Sequence, residues 1–115
     1  MHGKRVLIVE DDFVTATGLS HAIAEHGATV VGPVDTADHA VRLIGQEPPD
    51  GALLDVNLRE GSAVEVAKAL RERGVPFVVM SGYSRNTLAP ELKKAPFVAK
   101  PMTESELIDT ARRTF

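Results

Sequence analysis

The chain has 115 residues, 43% of them hydrophobic and 25% charged, with no cysteine and a formal net charge of -3. This length suits a single domain spanning residues 1–115, leaves no room for a second, output-bearing domain, and the ordinary composition excludes a disordered chain. The lack of cysteine excludes a disulfide framework or a thiolate metal site, scattered Lys and Arg argue against a nucleic-acid surface, and the opening apolar run from Val6 to Val9 is far too short for a signal peptide or a membrane span, so a cytoplasmic protein without membrane attachment is expected.

Along the chain, short continuous apolar runs alternate with stretches of helical period, the pattern of βα units around a parallel sheet. The run from Arg5 to Val9 precedes a stripe of Ala16, Leu19, Ala22 and Ile23, which Gly27 can end as a cap. A second strand is expected from Ala28 to Val31, and Asp35 or Thr36 can cap a helix burying Ala37, Ala40, Val41 and Ile44. The third strand runs from Gly51 to Leu54, and the helix after it carries Ala63, Val66, Ala67 and Leu70 and stops at Gly74, just before Pro76. The fourth strand runs from Phe77 to Met80. In the connection from Gly82 to Ala95, Pro90 interrupts the pattern and only Leu88, Leu92 and Ala89 can face a core, which predicts a short or irregular fourth helix. Phe97 to Ala99 is the fifth strand, and Thr103-Glu104-Ser105-Glu106 is a capping box that opens a last helix burying Leu107, Ile108 and Ala111. Runs that are continuous rather than alternating imply strands buried on both faces, hence an α/β fold with a doubly wound, five-stranded parallel sheet.

The polar residues fall at particular places. Glu10 and Asp11 follow the first apolar run, Asp55 the third, Ser81 the fourth and Lys100 the fifth. In a parallel sheet these ends share one edge, and open α/β sheets bind ligands just outside it. Three carboxylates held together repel one another unless a cation sits among them. Mg²⁺ takes oxygen ligands from one or two carboxylates and a phosphate, so Asp11 and Asp55 suit it, with Glu10 acting through a water. Lys100 offers a point charge and Ser81 a hydroxyl to phosphoryl oxygens, while Asp55 can attack phosphorus to give an acyl phosphate.

Four segments carry a resemblance: Val6-Leu7-Ile8-Val9-Glu10-Asp11-Asp12, Leu53-Leu54-Asp55-Val56-Asn57-Leu58, Met80-Ser81-Gly82 and Val98-Ala99-Lys100-Pro101. Together, in this order, they resemble the receiver domains of bacterial response regulators over essentially the whole chain. The resemblance implies the flavodoxin-like strand order 2-1-3-4-5. It implies a phosphoacceptor of a two-component phosphorelay that, with Mg²⁺ bound, takes a phosphoryl group from a sensor histidine kinase or a histidine phosphotransfer protein and switches the binding of a protein target. By resemblance Asp55 is the phosphoacceptor, Glu10 and Asp11 the acidic pair with Asp11 a direct ligand, the Asn57 backbone carbonyl a further metal ligand, Ser81 the switch hydroxyl and Lys100 the phosphate-pairing lysine. Lys100-Pro101 is similar to the family's cis peptide, and Phe97 stands where its rotating aromatic does. The segment from Ser81 to Lys100 is compressed, and Tyr83 after Ser81-Gly82 is similar to some stand-alone receivers, so Tyr83 is expected to share or replace the switching role of Phe97.

Plainer readings stand beside these. Asp11 could be only a cap for the first helix, Asp55 the start of a loop, Lys100 a solvated charge and Ser81 turn chemistry. A Mg²⁺-dependent aspartate-nucleophile phosphatase would use a similar set, but such enzymes usually carry a second acid where Asn57 stands; a non-phosphorylated receiver-like interaction module is the other alternative. A dinucleotide site would need a Gly-rich turn where Glu10-Asp11-Asp12 lies. His2, His21, His26 and His39 show no metal-ligand spacing and read as surface residues.

Overall fold

Strands and helices alternate along the chain in the computed structural model, which describes every residue from Met1 to Phe115. The elements are β1 (Arg5–Val9), α1 (Phe13–Glu25), β2 (Thr29–Val34), α2 (Ala37–Gln46), β3 (Gly51–Asp55), α3 (Ala63–Glu72), β4 (Phe77–Ser81), α4 (Pro90–Lys93), β5 (Phe97–Ala99) and α5 (Glu104–Thr114), with a 3₁₀ turn at Arg85–Thr87. All pairings are parallel and the order is β2-β1-β3-β4-β5. This is the doubly wound, flavodoxin-like sheet that the apolar runs and the resemblance predict.

Successive side chains of a strand point to opposite faces, and the core divides accordingly. Leu7, Val9, Leu54 and Val79 pack on one face with Ile44, Val66 and Leu70 of α2 and α3 and with Leu88 and Leu92. Val6, Ile8, Leu53, Val78 and Met80 pack on the other with Leu19 and Ile23 of α1 and Leu107 and Ile108 of α5. Burying a Leu or Ile side chain contributes roughly 1.5–3 kcal/mol, so these two layers dominate what holds the strand ends in place. The stripes expected for α1, α3 and α5 are the residues that are buried.

Four helices are capped by a side-chain oxygen accepting a backbone N–H in the first turn: Asp12 from Thr15, Thr36 from His39, Ser62 from Val64 and Thr103 from Glu106. Thr36 rather than Asp35 thus opens α2. The cap of α1 is Asp12, which corrects the plainer reading of Asp11 and leaves the Asp11 carboxylate free for another role. Gly27 and Gly74, past the ends of α1 and α3, take the left-handed φ of 84° and 67° that a helix stop at these points requires.

Three expectations are corrected. The second strand ends at Val34, not Val31, because Gly32-Pro33 lies within an edge strand, where a missing N–H is tolerated. As an edge strand, β2 is largely exposed rather than buried on both faces. Pro90 does not interrupt the fourth helix but begins it: at the first helical position its missing N–H costs no hydrogen bond. The resulting α4 is four residues long, held by Leu92 and preceded by the buried Leu88.

Candidate functional site

The register brings the carboxyl ends of four strands to one edge. Val9 pairs with Leu54, Asp55 with Met80 and Ser81 with Ala99. Each following residue is then pinned by the main chain: the Glu10 N–H donates to Val34, the Val56 N–H to Met80 and the Lys100 N–H to Ser81. Asp55 and Ser81 are the last residues of their strands, so rigid elements, not loops, position them.

Glu10, Asp11, Asp12, Asp55, Asn57, Gly82, Tyr83 and Lys100 line one cavity of about 370 Å³. Carboxylate oxygens of Glu10, Asp11 and Asp55 lie within 4.8 Å of one another. Lys100 Nζ donates to Glu10 Oε1 at 2.7 Å and stands 3.3 Å from Asp55 Oδ1. The Asp12 N–H donates to Glu10 Oε2 and the Asn57 N–H to Asp55 Oδ1, at 3.1 Å and 3.2 Å. At the outer side, Arg59 Nε lies 3.9 Å from Asp11 Oδ2.

Glu10 and Asp55 are buried, and burying a charge costs free energy unless partners compensate. Burial pushes the Glu10 carboxyl up to about 7, and its contact with Asp55 pushes the same way, against the hydrogen bonds from Lys100 and the Asp12 N–H. Burial alone would lower the Lys100 ammonium, but its hydrogen bond to Glu10 and the charges of Asp55 and Glu10 outweigh that and raise it. Lys100 therefore stays charged at neutral pH. The Asp12 carboxyl is held below its usual value by the Thr15 hydroxyl and N–H, as its capping role demands.

These donors fit a hard divalent cation: three carboxylates, all oxygen, converge with one ammonium to offset them. The arrangement holds an anionic side chain, Asp55, beside a cation at the base of an open cavity.

Not every residue singled out by sequence joins this cavity. The Ser81 hydroxyl is buried at its edge and accepts the Tyr83 N–H at 2.8 Å. Tyr83 is 59% exposed and lines both the acidic cavity and a neighbouring apolar groove bounded by Val56, Val64, Leu88 and Leu92. Phe97 lies away from the carboxylates, half-buried, with the Arg85 guanidinium 5.4 Å from its ring centre. The Lys100-Pro101 peptide is cis, and so is Gly32-Pro33, for which the sequence carried no expectation. Arg59 and Arg85 also went unmarked, since both sit on connections whose course depends on tertiary packing; a cation four residues beyond Asp55 was the available signal for Arg59.

A five-stranded parallel sheet with acidic residues and a lysine gathered at its carboxyl edge defines a receiver-like signalling domain. Residues 6–112 match the response regulator receiver domain, and the chain belongs to that family. It is 28% identical over 109 residues to the transcriptional regulatory protein PdtaR of Mycobacterium tuberculosis, a match covering 91% of this chain and 53% of that protein. The chain thus spans about half the length of the curated relatives it matches. Among solved structures, the N-terminal domain of a response regulator/sensory box/GGDEF three-domain protein from Carboxydothermus hydrogenoformans superposes with a TM-score of 0.84 at 27% identity, covering 96% of this chain and 92% of that one. The receiver domain of a sensor histidine kinase from Pseudomonas aeruginosa PAO1, solved with magnesium coordinated in its active-site cleft, shares the fold at a TM-score of 0.80 and 24% identity, with 97% of each chain covered. No helix of this chain is long and apolar enough to cross a membrane.

Proposed function

We propose that the chain accepts a phosphoryl group on Asp55 from a histidine kinase or histidine phosphotransfer protein, with Mg²⁺ held by Asp11, Asp55 and the Asn57 carbonyl, and that the phosphorylated form changes how a protein target is bound. The observation that supports this most is the meeting of Asp55 with two further carboxylates and the Lys100 ammonium at one cavity. A reducing, cytoplasmic setting suits a chain without cysteine.

In the transfer, an Asp55 carboxylate oxygen attacks phosphorus as the phosphorus–nitrogen bond of the donor phosphohistidine breaks, leaving an acyl phosphate on Asp55 and the imidazole with the electron pair, which a proton from water then occupies. The bound cation would supply charge stabilisation at the phosphoryl oxygens. Lys100, already 3.3 Å from Asp55 Oδ1, exchanges that carboxylate oxygen for a phosphoryl oxygen. Glu10 holds Lys100 in place from the opposite side.

The signal leaves through Ser81. Its hydroxyl, now accepting the Tyr83 N–H, turns toward the phosphoryl group, and this differential contact biases the segment from Tyr83 to Lys94 toward one arrangement. Tyr83 is the side chain placed to respond first, with Phe97 following as the Arg85 turn shifts.

Incubation with a small acyl phosphate and Mg²⁺, followed by intact-mass measurement, tests the proposal. One added phosphoryl group in the parent and none in Asp55→Asn supports it. Equal labelling of both chains, or none in the parent with Mg²⁺ bound, overturns it.

A further inference from the structure

Four carboxylates line the cavity, and two cations stand against them, in different ways. Lys100 is committed inward, to Glu10 at 2.7 Å and Asp55 at 3.3 Å. Arg59 stands at the outer side on the β3–α3 connection, its side chain 77% exposed, facing the Asp11 carboxylate at 3.9 Å. That separation is beyond hydrogen-bond distance, so the pair is held by charge alone. Arg59 also contributes, after the Thr15 hydrogen bonds and Lys100, to holding the Asp12 carboxyl low, so its charge is felt across the acidic rim.

We infer that Arg59 is a counter-charge of the acidic cluster and competes with Mg²⁺ at Asp11, so that it sets the metal concentration at which the site fills. The inference deepens the Mg²⁺ reading given above and rests on it. A guanidinium stays charged at every relevant pH, so this competition cannot be relieved by losing a proton. It can be relieved only by swinging the exposed side chain away or by bearing the repulsion between a divalent ion and a guanidinium that share one carboxylate. For a divalent ion and a guanidinium that flank one carboxylate at a solvated surface, screened over a Debye length of about 8 Å, that repulsion would weaken metal binding by about threefold to tenfold.

The consequence is a set point. Arg59 offsets the repulsion among Asp11, Asp12 and their neighbours while no metal is bound, and it raises the Mg²⁺ concentration at which Asp55 becomes competent. Because the Arg59 side of the pair is exposed, its strength falls with salt, which a purely structural role for Arg59 would not do.

Calorimetric titration of MgCl₂ into the unphosphorylated chain, with no phosphodonor present, tests this at low salt and at about 0.15 M salt. Arg59→Gln should bind Mg²⁺ about threefold to tenfold more tightly than the parent at about 0.15 M salt, with a larger gain at low salt. Arg59→Lys should stay within about twofold of the parent, and Arg59→Glu should bind more tightly than Arg59→Gln. A Gln variant with unchanged or weaker affinity, or a gain that Arg59→Lys shares, would overturn the inference while leaving the Mg²⁺ reading intact. A parent chain that takes up no Mg²⁺ would overturn both.

Discussion

Replacing Glu10 by Gln removes the charge that the fold accommodates least well, and the consequence can be worked out with its sign. The Glu10 side chain is fully buried, and its carboxyl is raised from 4.5 to about 7 by burial and by Asp55. A carboxyl whose folded value lies above its unfolded value contributes stability that is present below the unfolded value and lost as pH rises through the folded one. For Glu10 the loss therefore runs from about pH 4.5 to somewhat above pH 7, and the gap between the two values corresponds to about 3 kcal/mol. The Gln variant carries no such group. Without metal it should unfold like the parent near pH 4 and be more stable by about 3 kcal/mol near pH 8, or on the order of 10 °C in melting temperature for a domain of this size. Urea and thermal unfolding in the presence of a chelator, across that pH range, would measure it. A Gln variant no more stable than the parent near pH 8, or an advantage that does not shrink as pH falls, would refute the reasoning.

A proton on Glu10 removes a negative charge from beside the Mg²⁺ ligands, so metal affinity of the parent should rise as pH is raised through about 7, a dependence that titration calorimetry reads directly and that Glu10→Gln should flatten. Lys100→Ala leaves Glu10 and Asp55 facing each other without their cation; because Lys100 is about a quarter exposed, the cost should be about 1–2 kcal/mol in chelator rather than the 3–5 kcal/mol of a fully buried pair, while phosphoryl capture falls by orders of magnitude in the intact-mass assay. In amide hydrogen exchange, Ser84 to Lys94 should be the fastest-exchanging internal stretch of the unphosphorylated chain, since only Leu88 and Leu92 anchor it, and should gain protection on phosphorylation.

How far the sequence revealed this molecule depends on what kind of signal each part carries. Strands β1, β3 and β4 were legible because strands covered by helices on both sides must be apolar at every position, as in Val6-Leu7-Ile8-Val9. Strand β2 was half-legible, because an edge strand needs only one apolar side and tolerates Gly32-Pro33. Pro90 marks a boundary, but the residue alone does not say whether a helix ends or begins there. The convergence of Glu10, Asp11, Asp55 and Lys100 was legible because parallel topology sends every strand's carboxyl end to one edge. Whether Asp11 or Asp12 caps α1 was not, since adjacent aspartates differ by a single residue of register. The partners of Arg59 and Arg85 lay beyond reach because they are set by how two connections pack against residues distant in sequence, Asp11 and Phe97.

The most direct test of the central claim is where the phosphoryl group goes. Phosphorylated chain treated with borohydride converts an aspartyl phosphate to homoserine, and peptide mass mapping then locates the altered residue. Homoserine at position 55, dependent on Mg²⁺ and on Lys100, is the result predicted. Homoserine at Asp11 or Asp12 instead, or a phosphoryl group that survives borohydride on a hydroxyl side chain, would contradict it.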